Sequence, residues 1–181
     1  MRRKDILKAM KKHDFSEDIR HQFEHIEKTE KGFHSRNRRF AEKMDELLSE
    51  EQHLLLWEHG GRCIGGDTGE RANAFAQELT GSLAEKIERL NKDAHFYEVE
   101  LNDNGTITAY CSCHCLRWRV DEPTRSDVIA KTTPSAYGCA AGAAFHNIKK
   151  ALGIKAKIKS IDYPQDGDGK KYMQFVIEVI E

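Results

Sequence analysis

No stretch of this 181-residue sequence approaches the roughly 18 unbroken apolar residues of a membrane-spanning helix. Nor does an apolar run follow Met1-Arg2-Arg3-Lys4-Asp5, where a secretory signal would carry one. A basic excess is also missing: 29 Lys and Arg stand against 30 Asp and Glu, a formal net charge of −1. The balance holds in both halves, with 18 basic and 19 acidic residues over 1–93 and 11 of each over 94–181. A dedicated nucleic-acid binder concentrates positive charge, so neither nucleic acid nor a membrane is an expected partner. The five cysteines are an odd number, ill-suited to a disulfide framework. A cytoplasmic location, where thiols stay reduced, is the expectation.

What the chain does have is 39% hydrophobic residues, enough for a core, arranged with two different periods. The first half is helical. Ile6, Leu7 and Met10 form a short stripe, and Asp14 with Glu17 resembles a capping box ahead of Ile19, Phe23 and Ile26. Ser35 is a candidate cap for a helix carrying Phe40, Met44, Leu47 and Leu48 and continuing through Leu54, Leu55 and Trp57 to Gly60-Gly61. Two further helices follow, over Ala72 to Leu79 and Leu83 to Leu90.

After that the period drops to two. Tyr97, Val99 and Leu101 alternate, Asn104-Gly105 supplies a turn, and Ile107, Ala109 and Cys111 alternate again, the pattern of a β-hairpin. A helix capped near Ser135 carries Ala140, Ala144, Ile148 and Leu152, and strands follow at Ile154 to Ile158 and Met173 to Val179. The expected fold is α+β: a helical section over 1–58, then a cysteine-containing domain over 59–181, the two forming one compact unit. That domain reads β-β-α-β-β, an antiparallel sheet with helices packed on one face. The N-terminal helices offer a surface for self-association.

The densest chemistry is Cys111-Ser112-Cys113-His114-Cys115. Strand alternation puts the three thiols on one face and His114 on the other, with neighbouring thiols about 6.5–7 Å apart. Thiolates around zinc sit near 2.3 Å from the metal, so a flat strand cannot bring all three to one ion. Two of them could share a metal with Cys63 and Cys139, which lie in glycine-rich bends. The candidate metal ligands are therefore Cys63, Cys113, Cys115 and Cys139, with zinc as the ion and an iron–sulfur cluster as the alternative. Buried core cysteines explain the same pattern.

Cys139 sits at the start of a helix within Tyr137-Gly138-Cys139-Ala140-Ala141-Gly142, where the helix dipole favours a thiolate. A cysteine nucleophile at Cys139 with His114 as its base, or a zinc-bound water, would make the chain a hydrolase of a small heterocyclic or amide-like substrate. His146, seven residues on, lies about 10 Å along the helix, too far to be that base. The small residues here also suit plain tight packing of the helix on the sheet. Most histidines, including the pair His21 and His25, read as solvated helix residues. Gly60-Gly61 and Gly65-Gly66-Asp67-Thr68-Gly69 form a weak phosphate-cradle signal, lacking the lysine and preceding strand of a nucleotide loop.

Residues of about 55–180 carry a resemblance, through Gly60-Gly61-Arg62-Cys63, Cys111-x-Cys113-x-Cys115, Tyr137-Gly138-Cys139-Ala140-Ala141-Gly142, Gly153-Ile154-Lys155 and Phe175-Val176-Ile177. In order and spacing these elements resemble a loose group of prokaryotic cysteine-containing proteins. The group includes L-2-amino-thiazoline-4-carboxylic acid hydrolase-like proteins and, more remotely, vinyl-reductase-type ligand-binding domains. The resemblance implies an α+β domain with a Cys-lined site between the sheet and the glycine-rich helix. Two departures stand out: Cys139-Ala140-Ala141 replaces a Cys-x-Cys, and Met173-Gln174 replaces a cysteine ahead of the final strand's Phe175. The reading is a metal- or small-ligand-binding domain, with the hydrolase and a structural or interaction module as alternatives.

Overall fold

A computed structural model describes residues 1–61, 66–111, 133–163 and 173–180. Within them lie α1 (Arg3–Lys12), α2 (Glu17–Thr29), α3 (Phe33–Leu47), α4 (Glu50–Gly60), α5 (Gly66–Glu78) and α6 (Leu83–Asn91). Then come β1 (Glu98–Leu101), β2 (Ile107–Cys111), a short 3-10 turn (Pro134–Tyr137), α7 (Gly138–Leu152), β3 (Lys155–Asp162) and β4 (Met173–Ile180). The α+β class expected from the change of period is the class observed.

The helix boundaries follow local chemistry that the apolar stripes alone misplace. Ser16, not Asp14, caps α2, its Oγ accepting from the Ile19 N–H, while Asp14 turns the chain at φ 54°. Asp tolerates that left-handed conformation better than most side chains. Gly32 precedes α3, and Ser35 inside the helix donates to Glu30 instead of capping. The long helix expected through Trp57 is two helices, because Ser49 and Gln52 form a reciprocal capping box that starts α4 afresh. Ser82 and Glu85 form a second capping box, starting α6 at Leu83 as its stripe places it. A Pro134-led 3-10 turn precedes α7, so Ser135 is not its cap.

All four strands pair antiparallel, in the spatial order β1-β2-β4-β3. The linear pattern does not foretell that order, which places β4 in the middle. Alternation and register bring the apolar side chains to one face: Ala109 lies opposite Phe175, Cys111 opposite Met173, and Ile177 between Ile107 and Ile158. A bulge in β3 between Ile158 and Ser160 keeps Ile158 and Ile161, three residues apart, both buried. The alternate residues Glu98, Glu100, Lys155, Lys157 and Gln174 are exposed. α7 covers β2, β3 and β4, α6 lies on β1, and α4 reaches β3.

One apolar cluster runs from Ile6 and Met10 through Phe23, Phe40 and Trp57 to Phe145, Phe175 and Ile177. Its fully buried aromatic and aliphatic side chains each contribute about 1.5–3 kcal/mol. The helices of 1–58 and the sheet thus share this core. α4 is its hub, touching α1, α7 and β3.

Candidate functional site

The hub is a glycine crossing. α4 ends at Gly60-Gly61 and α7 begins Gly138-Cys139-Ala140-Ala141-Gly142, so glycines recur four apart on α7 and face the end of α4. A Cβ at Gly142 would lie 1.9 Å from the Trp57 carbonyl oxygen, and one at Gly61 would lie 2.3 Å from the Ala143 nitrogen. At Gly138 a Cβ would meet the Trp57 indole at 2.2 Å, and at Gly60 it would meet Ile6 at 2.7 Å. At Gly61 and Gly142 the two backbones touch and leave room only for hydrogen, whereas at Gly138 and Gly60 the obstacles are the side chains of Trp57 and of Ile6 on α1. Tight packing is therefore right for Gly138 and Gly142, with the correction that the partner is α4 and not the sheet. Trp57 fills the corner, and burial pushes the pKa of the nearby Tyr163 hydroxyl up to about 12.

Beside the crossing opens a cleft of about 390 Å³ between α1, α4 and α7. Its walls carry Arg2, Lys8 and Lys12 from the α1 side, His59 and Glu58 from α4, and His146 from α7, with Gly61 and Gly142 among its lining residues. Arg2 is positioned by its backbone N–H, which donates to the Gly60 carbonyl at 2.9 Å. Burial, reinforced by His13 and Lys12, holds the His59 imidazole below the usual histidine range. Burial with Lys149, Lys150 and Arg2 does the same to His146. Glu58 is raised by burial, against a lowering hydrogen bond from the Ile158 N–H at 2.6 Å. Outside the cleft rim, the His13 ring lies 5.5 Å from that of His59.

The expected cysteine site is only partly visible. Cys63, Cys113, His114 and Cys115 lie outside the described residues. Cys111 is a core residue, 4% exposed and opposite Met173. Cys139 stands half-buried in the first turn of α7 and its Sγ donates to the Gly60 carbonyl at 3.9 Å. Among the described residues no group of three His, Cys, Asp or Glu side chains is placed to hold a metal. His21 and His25 are exposed on α2, as expected, with His21 facing Glu17 at 3.7 Å. His59 and His146 depart from the expectation of solvated histidines: both are half-buried at the glycine crossing.

Sequence reasoning passed over His59, Lys8 and Lys12. The one signal pointing there was Gly60-Gly61, immediately after His59. No protein-family model, curated protein or solved structure matches this chain. Among the described residues no helix is long and apolar enough to cross a membrane.

Proposed function

We propose that the chain is a small-ligand-binding domain whose ligand sits in the cleft between α1, α4 and α7. The observation that carries this reading is the convergence of two half-buried imidazoles, His59 and His146, from different helices on one concave site of about 390 Å³. Three features support it. The glycine crossing fixes both helices rigidly, so the imidazoles are pre-organised. The cleft size suits a small molecule and not a macromolecular partner. Both histidines are held neutral near pH 7, leaving each ring with one donor and one acceptor.

The test is a screen of small molecules of mixed charge, read by the imidazole NMR resonances of His59 and His146. A compound that shifts both resonances and loses affinity in His146→Ala supports the reading. A diverse screen in which every binder maps elsewhere overturns it.

The thiolate-metal and cysteine-hydrolase readings retain Cys139, supported by its half-exposed place beside Gly60. Elemental analysis of the purified protein decides the first. Zinc and iron both far below one equivalent per chain end it, and a bound equivalent lost in Cys139→Ser restores it. A Cys139 thiol that alkylates no faster than a free thiol ends the second.

A further inference from the structure

We infer that the ligand of this cleft is a small anion, a phosphate or carboxylate group held between the Lys8 and Lys12 ammonium groups and the imidazoles of His59 and His146. The inference rests on the cleft being the ligand seat and adds the chemical class of what it takes.

The argument is a count of which charges are already committed. Two acids line the cleft, and both are engaged. Asp5 is ion-paired with Arg2, its Oδ2 lying 2.6 Å from Arg2 Nε. Glu58 accepts the Ile158 backbone N–H, and its burial favours the neutral acid. Lys8 and Lys12 form no ion pair with any described residue, whereas Lys11 pairs with Glu24 of α2 at 3.9 Å. Lys8 and Lys12 are four residues apart and so project from one face of the helix. The chain as a whole is nearly neutral, so this concentration of uncommitted cations is local.

The charged groups around the imidazoles are mostly basic. From the α1 side come Arg2, Asp5, Lys8, Lys12 and His13; from α4, Glu58; and from α7, Lys149 and Lys150. Among these described groups, Asp5 and Glu58 alone are acidic. His13 and His59 stand ring against ring, and His13 lowers the affinity of His59 for a proton. An anion placed among these groups would be drawn by the lysines and would stabilise the protonated imidazoles. Binding then takes up protons, and affinity rises as pH falls through the histidine range. The lysines are exposed, so the attraction weakens with added salt.

Isothermal titration calorimetry at fixed ionic strength tests this, with inorganic sulfate, a phosphate-like dianion whose charge is constant across the pH range used, in one arm and acetate in the other. Each arm is run at about pH 6 and about pH 8, on either side of the ordinary histidine value. The expected result is saturable binding of at least one anion, about tenfold tighter at the lower pH. Lys8→Gln or Lys12→Gln weakens it by about tenfold, the loss of one charge-assisted contact. Lys155→Gln, on the exposed face of β3, leaves it unchanged. The stronger arm names the group. Equal weakening by all three lysine variants marks non-specific attraction and overturns the inference. If neither anion binds while a neutral or cationic compound still shifts His59 and His146, the anion inference falls and the ligand seat stands. If no compound of any charge reaches the imidazoles, both fall.

Discussion

Gly142 and Trp57 meet backbone to backbone, with the Trp57 carbonyl oxygen occupying the space where a Gly142 side chain would begin. A glycine inside a helix ordinarily costs roughly 1 kcal/mol relative to alanine, so Gly→Ala there is expected to stabilise. At Gly142 the sign reverses, because the obstacle is main chain and cannot rotate away. Gly142→Ala is expected to destabilise by about 1–3 kcal/mol or more, read as a lower urea midpoint. Gly61→Ala, aimed at the Ala143 nitrogen, behaves alike. Gly153→Ala is the contrast: it meets open space and loses only about 1 kcal/mol from its φ of +66°.

Arg3 makes a second tie between helices. Its guanidinium bonds the Glu27 carboxylate of α2 and the Asn37 amide oxygen of α3, and Arg36 approaches Glu27 at 3.5 Å. Arg3 is 12% exposed and Glu27 19%, so removing one partner strands a largely buried charge. Glu27→Ala is expected to cost about 2–4 kcal/mol. An Arg3/Glu27 double-mutant cycle should show coupling of about 1–3 kcal/mol. The exposed pair Lys92 and Glu88, at 2.9 Å, should couple by under about 0.5 kcal/mol.

Acid should weaken the fold through His59 and His146. Both imidazoles have lowered proton affinity in the folded chain, first from burial and then from neighbouring charges. The unfolded chain therefore binds these protons first. Their contribution is full above the unfolded value of about 6.5 and is lost as pH falls through the folded values. Glu58, raised by burial, has the opposite sign: its contribution is full below its unfolded value and is lost as pH rises through the folded one. Melting temperature followed from about pH 8 to about pH 5 should fall, and should fall less in the His59→Asn, His146→Asn double variant. A double variant with the wild-type slope would exclude these histidines as the source.

The two described cysteines should separate by reactivity. Native-state alkylation followed by mass spectrometry is expected to label Cys139, which is half-buried, well before Cys111, which is 4% exposed. Cys111→Ala removes a side chain packed in the sheet face opposite Met173 and should cost about 1–2 kcal/mol.

The sheet was legible because strand period and burial coincide. Val99, Ile107, Ala109, Phe175 and Ile177 alternate in sequence and lie on one buried face. The order of the strands in space was not legible, since nothing in an alternating run names its neighbour. Helix ends departed from the apolar stripes where the Ser49 and Gln52 capping box divided one expected helix into two, and where Asp14 adopted a left-handed turn and left the cap to Ser16, whereas the start of α6 after Ser82 fell where its stripe placed it. The cleft was hardest to see. His59 and His146 are 87 residues apart and belong to no spacing motif. Only the crossing of α4 on α7 brings them together, and the crossing itself was written as four scattered glycines. Cysteine density drew attention to Cys113 and Cys115, which lie outside the described residues.

Because β4 sits between β2 and β3 yet follows both in the chain, the sheet cannot close until Met173–Ile180 has been made. β2 waits for Met173, 62 residues beyond Cys111, with the inner edge of the β1–β2 hairpin unpaired. A ribosome-bound chain that has emerged only as far as α7 thus presents an open strand edge bearing Ile107, Ala109 and Cys111. Synthesis pauses or truncations before β4 are the point at which this protein is most exposed to aggregation. A variant cut short ahead of Met173 should be judged first by its solubility.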